Sequence, residues 1–494
     1  MKKIMTLLIS GLLSSLFAQT DTLSLPQTHF QLKRPLSYPQ MQRFFSRLKK
    51  NTTITVTEEG KTAEGRSLYL VHMLRGENPR WRLFFYAQQH GDEPSGKDAL
   101  LYMIKYFNEK PEFLPEDVDV WLMPMVNPDG AVRNQRRNAG GFDLNRDHIL
   151  LSQPEIQTLY RVVRRINPHI AVDCHEYGRD AEEFAAKGWH KWPIIMMDCA
   201  NNPLFGNALY EAGVNWCERV KKMMTRRNHS YTRYYVGGAP PDDEIRHSTL
   251  DLDDGRNGIG AYGGLSFIIE AGARHKAPNP YEDLYKRVDA YLDLLMQFVL
   301  NAESRKSDLS VIDKTSREAL PEFIPVNYFW ANKDNISSKI KVVDTKSGHT
   351  LEIATPNFMS DRVIKKSVRT PSGYIIPVDK AQVFKELLDR HALQYDILSQ
   401  AQEFIVEPYR LIAVEDSDDV MYQRYGGRQI VEIDSARSVC FQPGSILAKL
   451  SPEQGKRAIL LLEPARLYGL FQYTQFRNLV GDDRVIPVYR FPQK

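Results

Sequence analysis

Along residues 41–300 the apolar positions alternate between helical spacing and short continuous runs, the two periods that distinguish helices from buried strands. Met41, Phe44, Phe45 and Leu48 recur at helical spacing and predict a short amphipathic helix. Extended runs follow over Thr52–Thr57 and Leu68–Met73, punctuated by Gly60 and Gly65. The pattern then predicts strand Leu83–Gln88, helix Ser95–Phe107, strand Val118–Val126, helix Pro154–Ile166 and strand Ile170–Cys174. A later strand, Leu265–Ala271, leads into a long helix with Leu284, Val288, Tyr291, Leu295 and Phe298 on one face. Near-continuous apolar strands between helices indicate an α/β fold with a largely buried sheet.

The pattern changes at Asn301–Lys314, a polar and charged stretch that reads as a linker. Beyond it, Tyr374–Val378, Lys380–His391 and Tyr395–Leu398 suggest a strand–helix–strand unit, and Ala458–Leu462 is another strong apolar run. The expected organisation is a domain over 19–304 and a smaller α/β domain over 305–494, in keeping with 494 residues at about 150 per domain. Lys2 and Lys3, an apolar run from Ile4 to Ala18 and small residues near its end read as a secretory signal over 1–18. That run is too short and polar for a membrane span, and no later stretch reaches that length. The expected location is therefore secreted or periplasmic, where Cys174, Cys199, Cys217 and Cys440 have the opportunity to pair.

Composition adds mainly exclusions. With 42% hydrophobic and 26% charged residues the chain is core-forming, and a formal charge of +4 offers no field for nucleic acid. Gly91–Asp98 nearly spells a phosphate-binding loop. Asp98, however, stands where a hydroxyl should hold magnesium, and Asp92 and Glu93 would repel phosphate. Gly258, Gly260 and Gly263 spell the dinucleotide glycine pattern but precede a strand instead of following one, so they read as a turning loop.

The candidate chemistry sits at strand ends. His90 and Glu93 follow the strand ending at Gln88, His175 follows Ile170–Cys174, and Glu270 ends Leu265–Ile269. In an open α/β sheet such positions line a shared crevice. Two histidines and a carboxylate form a catalytic zinc set with a fourth position left for water, whose pKa the ion lowers toward about 7. Glu270 would be the carboxylate placed to take that water's proton.

Five ordered motifs carry a specific resemblance: Gln89-His90-Gly91-Asp92-Glu93-Pro94, Asn127-Pro128-Asp129-Gly130, Asn138 through Asp147, Asp173-Cys174-His175-Glu176, and Phe267-Ile268-Ile269-Glu270-Ala271. Together with the Thr62–Arg66 turn they resemble a zinc carboxypeptidase of the carboxypeptidase A family over roughly residues 35–300, in a bacterial secreted form with a C-terminal accessory region. The resemblance implies a mixed eight-stranded sheet flanked by helices. It implies one zinc held by His90, Glu93 and His175, with Glu270 as general base. It further implies Asn145 and Arg146 as holders of a peptide's terminal carboxylate, a planar fork suited to that group. Asp143 would orient His90, and Arg136, with Arg137 as the alternative, would stabilise the oxyanion.

The chain departs from that family at two places. No tyrosine stands at the usual distance before Glu270, leaving Tyr234, Tyr235 and Tyr262 as candidates to cover the site. Near the expected specificity pocket, Asp253-Asp254-Gly255-Arg256-Asn257 carries both signs of charge, so Arg256 would favour an acidic side chain and Asp253 or Asp254 a basic one. The expected activity is removal of C-terminal residues from peptides with a free C-terminus. The alternatives are a zinc amidohydrolase acting on N-acyl amino acids or cell-wall peptides, and a non-catalytic peptide binder.

Overall fold

A computed structural model describes residues 32–48, 53–301, 308, 310–315, 319–415 and 428–492. The expected signal over 1–18 lies outside the described residues. Helix α1 (Tyr38–Ser46) starts at a capping box, in which Ser37 and Gln40 satisfy each other's backbone N–H groups, and it buries Met41 and Phe44. Strands β1 (Ile54–Lys61), β2 (Ser67–Leu74), β3 (Trp81–Ala87), β4 (Val118–Met123), β5 (Ile170–Gly178), β7 (Ile195–Cys199), β8 (Tyr231–Arg233) and β11 (Leu265–Ala273) form one sheet. Its eight strands run in the order β1-β2-β4-β3-β5-β11-β7-β8.

The centre of this sheet, β4-β3-β5-β11, is parallel; β2 and β7 flank it antiparallel, β1 pairs antiparallel with β2, and β8 pairs parallel with β7. Helices α2 (Ser95–Glu109), α3 (Pro154–Ile166), α4 (Asn207–Arg226) and α6 (Leu284–Leu300) cover the two faces. Buried on both sides, β3, β5 and β11 show no alternation in sequence, as their continuous apolar runs require. The expected mixed eight-stranded α/β architecture is present.

Several boundaries differ from the expectation. Strand β5 runs on to Gly178 and β11 to Ala273, so His175 and Glu270 lie inside strands and not just past them. Strand β4 stops at Met123, short of Val126. Of the glycines expected in a turning loop, Gly258 and Gly260 lie in a short helix, α5 (Gly255–Gly260), capped by Asp254 accepting from the Asn257 backbone N–H, and Gly263 lies in the turn after it. A Cβ on Gly255 would stand 2.5 Å from the Tyr86 hydroxyl and 2.6 Å from Asp173 Oδ2. Close packing against Tyr86 and Asp173 therefore requires glycine at position 255. The phosphate-loop resemblance dissolves in the same way, since Lys97 is buried, pairs with Asp98 at 2.7 Å and donates to the Leu36 carbonyl.

Within the expected linker, residues 308 and 310–315 are helical, and buried Asp308 accepts from the Trp216 indole and from Arg219. Beyond it, β12 (Phe323–Ala331) pairs antiparallel with β16 (Asp361–Arg369). Strand β13 (Ser338–Asp344) lies between β14 (Thr350–Thr355) and β6 (Trp189–Lys191), a strand of the first half. The short β15 (Phe358–Met359) likewise extends β10 (Ile245–His247), which pairs with β9 (Tyr235–Gly237). A further sheet contains the expected strand–helix–strand unit as β17 (Gly373–Ile376), α7 (Val378–Arg390) and β18 (Asp396–Ile397). The Ala458–Leu462 run lies in helix α8 (Gly455–Leu462). All four cysteines are free thiols, and only Cys440 is exposed.

Candidate metal centre

The loop after β3 carries His90 and Glu93, and its path is set by Asn127. The Asn127 side-chain NH2 donates to the carbonyls of Gln89 (3.0 Å) and Arg136 (3.3 Å), while its oxygen caps the helix that follows. Gly91 is obligatory here because a Cβ would sit 2.1 Å from the Gly130 carbonyl carbon. Asp129 in turn accepts from Thr62 at 2.8 Å and from Arg66 at 2.6 Å, which ties the early Thr62–Arg66 turn to the same loop.

Three buried side chains converge. His90 Nδ1 is 2.7 Å from Glu93 Oε1, His175 Nδ1 is 2.8 Å from Glu93 Oε2, and the two Nδ1 atoms are 3.1 Å apart. Each histidine is committed on its other nitrogen: His90 Nε2 lies 3.0 Å from Asp143 Oδ1, and His175 Nε2 lies 3.0 Å from Asp173 Oδ2. A proton on each Nε2 satisfies these carboxylates and turns both Nδ1 lone pairs toward one point. Two lone pairs and a carboxylate aimed at one point repel unless a cation sits among them, so the donor set fits a divalent metal. Nitrogen and oxygen donors in this three-residue arrangement suit zinc. Burial works against the Glu93 charge, but His90 and His175 outweigh it and hold the carboxyl well below its usual range. Asp143 is likewise held far down: burial opposes its charge, and the His90 contact, Arg136 and Arg146 overcome it.

Glu270 stands on β11 directly opposite His175 on β5. It lines a cavity of about 320 Å³ together with His90 and Glu93, and its Oε2 has no hydrogen-bond partner. Burial, reinforced by the nearby Glu93, raises its carboxyl to about 7, while His175, His90 and a hydrogen bond from Tyr234 pull the other way. Arg136 reaches the same place, with Nη1 3.3 Å from Glu93 Oε1 and Nε donating to Asp143 Oδ2 at 3.0 Å. Arg137 points away and donates to the Gly141 carbonyl. Asn145 and Arg146 line the cavity; Asn145 Oδ1 accepts from Gly255 N at 2.7 Å, and Arg146 Nε lies 3.6 Å from Asp253.

The structure separates the three tyrosines. Tyr234 lines the cavity and hydrogen-bonds Glu270. Tyr235, on β9, is buried in a core cluster with Ile245, and Tyr262 packs edge-on against Tyr160 under Arg457. The charged stretch near the pocket is corrected too. Arg256 is fully buried, bonded to Asp254 at 2.8 Å and to the Thr249 carbonyl at 2.7 Å, and Asp253 is fully buried as well. Neither Arg256 nor Asp253 faces the cavity, and Asp254, which does, is already paired.

Other residues of the site take no role from the sequence reading. Gln89 Nε2 donates to Asp173 at 2.8 Å, and His148 fixes the Gln89 amide through its oxygen at 2.9 Å. Burial pushes His148 down to about 3, so it stays neutral and can donate from Nε2 while accepting from Tyr160 on Nδ1. Arg246 and Tyr468 also line the cavity. Of these, Gln89 and Asp173 stand inside the quoted histidine motifs, while His148, Arg246 and Tyr468 stand outside them.

Residues 41–181 match the family model described as zinc carboxypeptidase. The chain is similar to carboxypeptidase 2 of Trichophyton rubrum, 22% identical over 476 residues covering 91% of this chain and 85% of that protein. It is 31% identical to carboxypeptidase 2 of Trichophyton tonsurans over 245 residues, which span 47% of this chain and 46% of that one. Among solved structures, a metallo-carboxypeptidase from Burkholderia cenocepacia aligns with 53% of this chain and 69% of its own, at 19% identity and a TM-score of 0.42.

Proposed function

We propose, for a chain that belongs to the zinc carboxypeptidase family, that it removes the C-terminal residue of peptides and that Glu270 acts as the general base. The observation that carries this reading is the shared cavity. One opening about 320 Å³ in volume brings the metal-ligand set, a buried carboxyl with its Oε2 free of hydrogen bonds and an Asn–Arg pair to the same substrate space. Zinc, when bound, acts as a Lewis acid and lowers the pKa of a coordinated water toward about 7.

Arg146 and Asn145 hold the terminal carboxylate of the peptide, which excludes amidated ends. The scissile carbonyl then lies between Arg136 and Glu270. Glu270, with its affinity for a proton raised by burial, takes one from the attacking water and passes it to the leaving amine. Arg136 donates toward the carbonyl oxygen as negative charge develops there. Asp143 and Asp173 keep His90 and His175 in the tautomer that presents Nδ1.

Residues 305–494 contribute to the same cavity. Tyr468 is part of its wall, and Trp330 donates to the carbonyl of Ser248, another wall residue, at 2.9 Å. Their role in this reading is to complete and brace the substrate cleft. The basic and apolar composition of residues 2–18 supports a site of action beyond a secretory membrane. Among the described residues no helix is long and apolar enough to cross a membrane.

The reading is tested by incubating the zinc-loaded protein with a peptide mixture and following masses over time. Sequential loss of single C-terminal residues supports it. Release of acyl or cell-wall fragments alone would contradict it.

A further inference from the structure

One wall of the cavity is the face of the ribbon that β9 and β10 form within the small β15-β10-β9 sheet. Strands β9 and β10 pair antiparallel with Arg246 opposite Val236. Side chains alternate along strands, so Val236 and Arg246 share a face, and both line the cavity. Tyr235, Ile245 and His247 take the other face and are buried.

Two acidic groups near that wall are already engaged, whereas Arg246 is not. Asp254 is paired with Arg256 at 2.8 Å, and Asp253 faces Arg146 at 3.6 Å. Arg246 donates one hydrogen bond, from Nη1 to the His247 carbonyl at 3.0 Å, and forms no ion pair among the described residues. Its guanidinium is partly buried at the cavity surface, where a charge-assisted hydrogen bond is worth more than in open water.

We propose that Arg246 selects the side chain of the residue to be released, and that the preferred peptides end in an acidic residue. The proposal rests on the carboxypeptidase reading above. An acidic C-terminal residue presents two carboxylates, one for Asn145 and Arg146 and the other for Arg246. A basic side chain in the same space meets Arg246 while Asp253 and Asp254 are engaged elsewhere, so it is repelled.

Three peptides identical except for a C-terminal Glu, Gln or Lys test this, assayed with the zinc-loaded protein and with Arg246→Ala, Arg246→Lys and Arg246→Glu. The expected order of kcat/KM is Glu above Gln above Lys, with Glu over Gln by roughly tenfold or more. Arg246→Ala should bring the Glu-to-Gln ratio toward one, Arg246→Lys should retain the preference for Glu, and Arg246→Glu should favour Lys. A wild-type preference for Lys, or an equal fall for all three peptides in Arg246→Ala, would overturn the proposal. Cleavage of none of the three by the unmodified protein would instead contradict the carboxypeptidase reading itself.

Discussion

Glu270 and His175 are cross-strand neighbours in the parallel pair β5–β11, so their side chains leave the same face of the sheet side by side. Two residues earlier on that face, Asp173 is opposite Ile268: Asp173 holds His175 Nε2, and Ile268 lines the cavity. The sheet register alone thus places His175, its partner Asp173 and Glu270 in one row. The face is rigid because both strands are buried along their length, which is the support a preorganised site requires.

Loss of one metal ligand should empty the centre. His90→Ala or His175→Ala leaves two protein ligands where a catalytic zinc site uses three. Each purified variant should carry little zinc at neutral pH by metal analysis. Full retention of one tightly held zinc in both variants would refute the ligand set.

Arg146→Ala should weaken productive binding of peptides with a free C-terminus by about 2–5 kcal/mol, the cost of breaking a desolvated charged pair. An amide cap on the peptide should be comparably harmful to the unmodified protein. Equal turnover of free and amidated peptides would remove the exopeptidase claim.

Burial of Glu270 has a stability consequence in the metal-free protein. Its carboxyl is raised from 4.5 to about 7, so the folded state holds its proton more tightly than the unfolded one. The cost of ionising it is absent below the unfolded value, grows as pH rises through this window and is fully present above about 7. Glu270→Gln should therefore be more stable than the unmodified metal-free protein at about pH 8, with the difference vanishing at about pH 4. Denaturant unfolding of both proteins at the two pH values measures it.

Trp330→Ala should destabilise the protein by about 3–5 kcal/mol through the lost packing volume, and it should also raise KM for peptides. Trp330 is 8% exposed, packs edge-on against His247 and donates to Ser248 at the cavity wall. A destabilised variant with unchanged KM would restrict residues 305–494 to a role in stability.

Sequence reading reached the central sheet because buried parallel strands leave apolar runs, and it reached the converging trio His90, Glu93 and His175 because they lie in short contiguous motifs. It misjudged where β5 and β11 end, since strands buried on both faces have no alternation that stops at His175 or Glu270. The glycines of α5 read as a loop because local propensity disfavours helix there; packing against Tyr86, Asp173 and Tyr160 overrides it. Arg246, Trp330 and Tyr468 gave no signal because they meet the site only through tertiary pairing. Arg256 drew attention by its charge alone, and burial with Asp254 consumed it.

The central claim, that Glu270 is the base of a zinc peptidase, is tested most directly by Glu270→Gln, assayed for zinc, peptide affinity and initial rate on a single preparation. The substitution keeps side-chain size and removes the proton acceptor, and Glu270 lies outside the converging ligand set. Zinc content and peptide affinity should match the unmodified protein, while turnover falls by about 10²–10⁴. Full zinc with an undiminished rate would contradict the assignment, and loss of zinc would make Glu270 a ligand instead of the base.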